Sequence, residues 1–157
     1  MALPHDPGRT FQESDFDFGA DPARLNTSAS LYDASPDLRA FKNAGGKLIM
    51  WSGWADEAMP PAATVQFYNA VVANDGGESA AQGSVRLFMV PGEYHCEGGT
   101  GPQLVSASFA DLLNTWVTTG QAPQTATAVQ TSSSGQVTAT EDIHPYPLAP
   151  GPQENQR

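Results

Sequence analysis

Apolar positions along the chain gather into two short unbroken runs set between longer stretches with helical spacing. Val85-Arg86-Leu87-Phe88-Met89-Val90 is closed by Ser84 on one side and by Pro91-Gly92 on the other, which predicts a buried strand. Lys47-Leu48-Ile49-Met50-Trp51 reads the same way, with Ser52-Gly53-Trp54-Ala55-Asp56 as the loop that leaves its end. Three stretches carry helical periodicity. The first starts near Pro36, with Ser35 or Asp37 as cap, Leu38 and Phe41 on one face, and Ala44-Gly45-Gly46 as the stop. The second spans 60–73, where Val65, Tyr68, Ala70 and Val71-Val72 recur at near-helical intervals and Asn74 to Gly77 ends the pattern. The third spans 104–118, with Leu104, Ala107, Leu112 and Trp116 on its apolar face and Gly120 after its end. Helix, strand, helix, strand, helix predicts an α/β fold with parallel strands. Runs that are apolar throughout, rather than alternating, predict helices over both faces of the sheet.

The ends of the chain have a different texture. Residues 1–30 mix Pro, Gly, Asp and Ser with scattered Phe11, Phe16 and Phe18, and read as an extended lead-in. Residues 31–123 hold the α/β pattern. Within 124–157, the Thr/Val-rich stretches 125–129 and 136–140 flank Ser132-Ser133-Ser134-Gly135 as a marginal hairpin would. The tail from Pro145 on is expected to be disordered or docked as an extended strap.

Composition narrows the function classes. A chain of 157 residues is one domain's worth, but a hydrophobic share of 39% with Gly 15 and Pro 13 means much of it is loop. A net charge of −10 argues against nucleic acid and against anionic membrane surfaces, both of which need clustered Lys and Arg. No apolar run reaches the roughly 20 residues of a spanning helix, and the N-terminal residues lack the basic and apolar regions of a signal peptide. The single cysteine, Cys96, is either free or bonded to a partner outside this sequence.

The candidate chemistry lies after the two strands. Asp56 follows the first and His95 follows the second, and sites in parallel sheets form at the carboxyl ends of strands. An acid there can hold a histidine in one tautomer and stabilise its imidazolium. The plainer alternative is that Asp56 caps the next helix and His95 is a polar loop residue. Trp51 and Trp54 flank the acid; Trp54 could be both a rim aromatic and a substrate contact. His95, Cys96 and Glu97 are adjacent rather than spaced to converge on a metal, and no cofactor motif is present.

The wording of these segments adds to this. Gly45-Gly46-Lys47-Leu48-Ile49, Gly53-Trp54-Ala55-Asp56, Phe88-Met89-Val90-Pro91-Gly92 and His95-Cys96 together resemble the tannase and feruloyl esterase family of α/β-hydrolases. Asp37-Leu38-Arg39-Ala40-Phe41, Trp116-Val117 and Gly120-Gln121-Ala122-Pro123 extend the resemblance, which runs from about Tyr32 to Pro123 and more weakly to Tyr146-Pro147. It implies the C-terminal part of an α/β-hydrolase fold, with parallel strands, flanking helices, an incomplete sheet and extended ends. It also implies a serine esterase acting on small aromatic esters such as feruloyl or galloyl esters. Asp56 then matches the triad acid and His95 the triad base. Cys96 matches a cysteine bonded in the family to one beside the nucleophilic serine, and such a bond implies an extracellular or periplasmic setting.

The sequence departs from the family at several points. A nucleophile elbow needs a tight strand-to-helix turn, and the nearest pattern, Gly77-Glu78-Ser79-Ala80-Ala81, has no strand before it. No counterpart of the family's lid, with its metal site, is visible, so no cofactor is expected. Gly-Met-x-His appears here as Gly92-Glu93-Tyr94-His95, and Cys-Pro-Tyr-Pro as His144-Pro145-Tyr146-Pro147. Three readings follow: a portion of an esterase whose partner is the missing N-terminal part, a subunit completed by another chain or copy, or a non-catalytic remnant or binding module.

Overall fold

The computed structural model describes residue 10 and residues 12–24, 33–104 and 106–147, with backbone only for 106–108. Two units separate by their internal contacts, residues 1–35 and 36–157. In the first, a 3-10 turn at Glu13–Asp15 is followed by a turn in which Asp17 accepts the amide of Gly19 at 2.8 Å. Phe16 and Phe18 meet edge to face at 4.8 Å.

The second unit is built on two strands, β1 (Leu48–Gly53) and β2 (Val85–Val90), paired in parallel from Leu48 opposite Val85 to Gly53 opposite Val90. Every β2 residue is buried, and successive side chains serve opposite faces. Val85, Leu87 and Met89 pack with Tyr68 and Val71 of helix α2 (Pro61–Asn74), which follows the short helix α1 (Arg39–Asn43). Phe88 and Val90 pack on the other face with Leu104 and with Phe109 of helix α4 (Ser106–Thr119). A helix on each face explains why the run is apolar throughout. Arg86 is the exception. Its buried guanidinium donates to the carbonyls of Gln82 at 2.5 Å and Pro123 at 3.3 Å and lies over the ring of Trp116.

Several element bounds differ from the sequence pattern. Helix α1 starts at Arg39, beyond Pro36, because Asp37 turns back to take the Arg39 amide at 3.2 Å and its guanidinium at 2.8 Å. Strand β1 runs on through Ser52 and Gly53, which are buried and keep pairing with Met89 and Val90. A four-residue helix, α3 (Glu78–Ala81), follows where the sequence pattern predicts no element, and buries Ala81. Helix α4 begins after Leu104 rather than with it, and Gly120 ends it at φ 75 with its amide on the Trp116 carbonyl.

The hairpin forms as strands β3 (Ala126–Thr131) and β4 (Val137–Ile143), turning through Ser132 to Gln136. Its Ala126, Ala128 and Ile143 complete the Phe88 side of the core. The strap docks: Pro145 bridges to Phe88, and the Tyr146 amide donates to the Leu87 carbonyl at 2.7 Å. The tail expectation beyond residue 147 lies outside the described residues, as do the lead-in residues 1–9, Phe11 and 25–32. Strand β2 is thus covered on both faces and paired on both sides, by β1 and by the strap.

This places the energetic centre at Phe88. Truncation of a large buried aromatic costs about 3–5 kcal/mol, whereas a change at an exposed strand position stays within about 0.5 kcal/mol. Urea titration of Phe88→Ala and of Val137→Ala, which is exposed on β4, should show this difference. Equal losses would mean that the core lies elsewhere.

Candidate active site

The register of β1 and β2 brings two loops to one level. Past Gly53, the Trp54 amide donates to the Val90 carbonyl at 2.8 Å and the Ala55 amide to the Glu93 carbonyl at 3.1 Å. A side chain at Gly53 would overlap the Glu93 carbonyl, so glycine is required by close backbone approach. Opposite it, the chain leaving β2 turns at Gly92 (φ 70) and doubles back: Glu93 bridges to Gly99, and the Tyr94 amide donates to the Gly98 carbonyl at 3.1 Å. His95, Cys96 and Glu97 form the tip of this small hairpin.

The two oxygens of Asp56 have separate tasks. Oδ1 accepts the amides of Ala58 at 2.9 Å and Met59 at 2.8 Å, which fixes the loop. Oδ2 takes Nδ1 of His95 at 2.9 Å. Helix α2 begins at Pro61 with no side-chain cap, so the plainer reading of Asp56 as its cap does not hold. The Met59 amide, then His95, then the Ala58 amide hold the Asp56 carboxyl below its ordinary range, against the opposing effect of burial. An ionised Asp56 can only accept, so Nδ1 carries the proton, and Nε2 of the neutral ring is left with a free lone pair. Asp56 is nearly enclosed at 7% side-chain exposure, while His95 stays open at 46%. A sheltered acid and an accessible base can take a proton from a group brought to Nε2 and hold the resulting imidazolium.

The other candidate positions lie as follows. Trp54 is half exposed and, with Met89, Pro91, Ile143 and Tyr146, lines a cavity of about 430 Å³. Trp51 is a core residue stacked on Phe109 at 5.6 Å. Cys96 is an exposed free thiol with φ 67. Exposed Met59 and Tyr94 stand beside Asp56 and His95 in the chain, and no periodicity marked them. Among the described residues Asp56 is the one hydrogen-bond partner of the His95 ring. Ser79 lies on α3 and lines a separate cavity with Arg86 and Trp116; Ser52 is buried in β1; Ser132 and Ser134 bond each other at 2.9 Å. Among the described residues no group of His, Cys, Asp and Glu converges as a metal site.

The family described as tannase and feruloyl esterase matches residues 10–155. A probable feruloyl esterase of Arthroderma benhamiae is 37% identical over 118 residues, 74% of this chain and 22% of the relative. The mono(2-hydroxyethyl) terephthalate hydrolase of Piscinibacter sakaiensis is 32% identical over 143 residues, 84% of this chain and 23% of the relative. The chain therefore spans about a quarter or less of the length of these relatives. Among solved structures, an esterase from Aspergillus oryzae superposes with a TM-score of 0.77 at 22% identity, over 91% of this chain and 32% of the other. That likeness establishes the fold as part of an α/β-hydrolase.

The division of labour at Asp56 makes a testable statement. In a carbon-detected NMR titration, the Asp56 carboxyl should titrate below its ordinary range. His95→Ala should move the midpoint up without restoring the ordinary value, because the Met59 and Ala58 amides remain. Full restoration would show that the loop amides do not hold Oδ1.

Proposed function

Because this chain belongs to the tannase and feruloyl esterase family, whose members are carboxylic ester hydrolases, we propose that it carries the acid and base of a serine esterase acting on aromatic carboxylic esters. The observation behind the reading is the 2.9 Å contact between Asp56 Oδ2 and His95 Nδ1, made while Oδ1 is anchored to the loop. In the reaction, Nε2 of His95 takes the proton of a serine hydroxyl as its oxygen attacks the ester carbonyl. The tetrahedral intermediate collapses, the C–O bond to the alcohol breaks, and the imidazolium gives its proton to the leaving oxygen. Water then repeats the sequence on the acyl-serine and frees the acid. Asp56 stays ionised and stabilises the imidazolium in both halves.

The serine and the oxyanion donors come, in this reading, from polypeptide outside these residues. Two facts support it: no described serine hydrogen-bonds the His95 ring, and the chain spans 22% of a relative of its own family. Cys96, exposed on the base hairpin, is then free to bond a cysteine beside that serine, which fixes the distance between nucleophile and base. A feruloyl or galloyl ring is the proposed acyl group; the exposed aromatic face of Trp54, in the loop that carries Asp56, suits such a flat substrate.

The test is an assay on methyl ferulate and methyl gallate. The chain alone should show no turnover. A polypeptide that also supplies the serine should be active, and His95→Ala there should lower kcat on the order of 10⁴-fold. Turnover by the chain alone that survives His95→Ala would overturn the reading; a serine-bearing polypeptide that stays inactive would favour a non-catalytic remnant.

A further inference from the structure

Glu93 is the least expected residue near the pair. It is completely buried, and neither carboxyl oxygen makes a well-formed hydrogen bond, the Leu104 amide being the one group nearby that favours its charged form. The one other buried acid among the described residues, Asp21, pairs with Arg24 at 2.9 Å, and the enclosed carboxylate of Asp75 lies 2.7 Å from Lys42 Nζ. An unpaired carboxylate in such a place costs several kcal/mol, so the group is held neutral or strains its surroundings. Burial pushes its pKa from an ordinary 4.5 up to about 6, opposed only by the Leu104 amide.

The backbone of the same residue is the joint between the two loops. Its carbonyl accepts the Ala55 amide at 3.1 Å and lies hard against Gly53, and its hairpin pairing is with Gly99. Any movement of residue 93 is therefore passed to the segment that carries Asp56 on one side and to the hairpin that carries His95 on the other. The two loops joined at Glu93 hold the ionisable residues Asp56, Glu57, Tyr94, His95, Cys96 and Glu97. Asp56 and His95 are engaged with each other, and none of the six contributes to the displacement of the Glu93 pKa.

We propose that Glu93 is a positioning residue whose proton keeps the His95 hairpin seated on the Asp56 loop, and that its ionisation loosens the Ala55–Glu93 tether and with it the Asp56–His95 contact. The consequence for catalysis rests on the function proposed above; the structural part does not. The sign follows from linkage. The folded-state pKa lies above the unfolded one, so the stability Glu93 contributes is complete below the unfolded value and is lost as pH rises through about 6.

The whole chain tests this without any ester. Its ¹H–¹⁵N spectra would be followed from pH 4.5 to 8 in the parent protein, in Glu93→Gln and in His95→Gln, with the Glu93 carboxyl carbon observed in parallel. The expected result is a midpoint near 6 at the Glu93 carboxyl and at the Ala55 amide. Protection of that amide, corrected for intrinsic exchange, should fall about tenfold above it. The Ala55 midpoint should survive His95→Gln, vanish in Glu93→Gln, and leave Glu93→Gln with a higher Tm than the parent at pH 7 but not at pH 4.5. A Glu93 carboxyl that titrates at its ordinary value overturns the proposal even if Glu93→Gln does not fold. So does an Ala55 midpoint that is missing in the parent or persists in Glu93→Gln. Loss of the esterase reading would leave these amide titrations unchanged, so the two failures are distinguishable.

Discussion

The in-register parallel pairing of β1 with β2 is the constraint on which the site depends. Because Gly53 sits opposite Val90, both strands end at one level, and the loops that follow must occupy the same small volume. They do so only because Gly53 has no side chain, which lets the Glu93 carbonyl reach the backbone there and take the Ala55 amide. Three residues past Gly53 comes Asp56, and two past Glu93 comes His95. The 2.9 Å contact between them follows from the meeting of backbones rather than from a search by two long side chains. Catalytic pairs gain most when their geometry is fixed in advance in this way.

What holds β2 in place is enclosure from every direction. Its odd-numbered side chains face α2 and its even-numbered ones face α4 and the hairpin, while β1 and the strap at Pro145-Tyr146 take its two edges. Even the one charge in the strand is accommodated, with Arg86 held by two carbonyls and the face of Trp116. Strand β1 is less enclosed: Leu48 to Trp51 are only partly buried, and among the described residues its outer edge pairs with nothing. The acid is therefore carried by the less supported of the two strands. The anchoring of Asp56 Oδ1 by two amides of its own loop offsets that.

Much of this was legible in the sequence because the signals were local. The Ser84 and Pro91-Gly92 boundaries gave β2 residue for residue, the Pro60-Pro61 start placed α2 within one residue, and the loop positions of Asp56 and His95 gave the pair. What was not legible depended on tertiary partners. Ser52 and Gly53 look like loop until Met89 and Val90 are beside them. Helix α3 is too short to show periodicity, and the docking of the strap rests on one bridge, one amide and the packing of Tyr146 against Tyr68. Glu93 carries the clearest lesson. A charged residue in a Pro-Gly turn reads as solvated, and only the folded chain shows it fully enclosed.

The central claim is that Asp56 acts through His95 as one unit in ester hydrolysis. A double-mutant cycle tests it most directly: kcat/KM for a feruloyl ester measured for Asp56→Asn, His95→Gln and the double variant, in a polypeptide that supplies the serine. If the two act as a unit, the double variant should lose no more than the worse single one, since an acid that serves only to orient and stabilise a base has no role once the base is gone. Losses that multiply would show that Asp56 and His95 contribute independently, and would contradict the account.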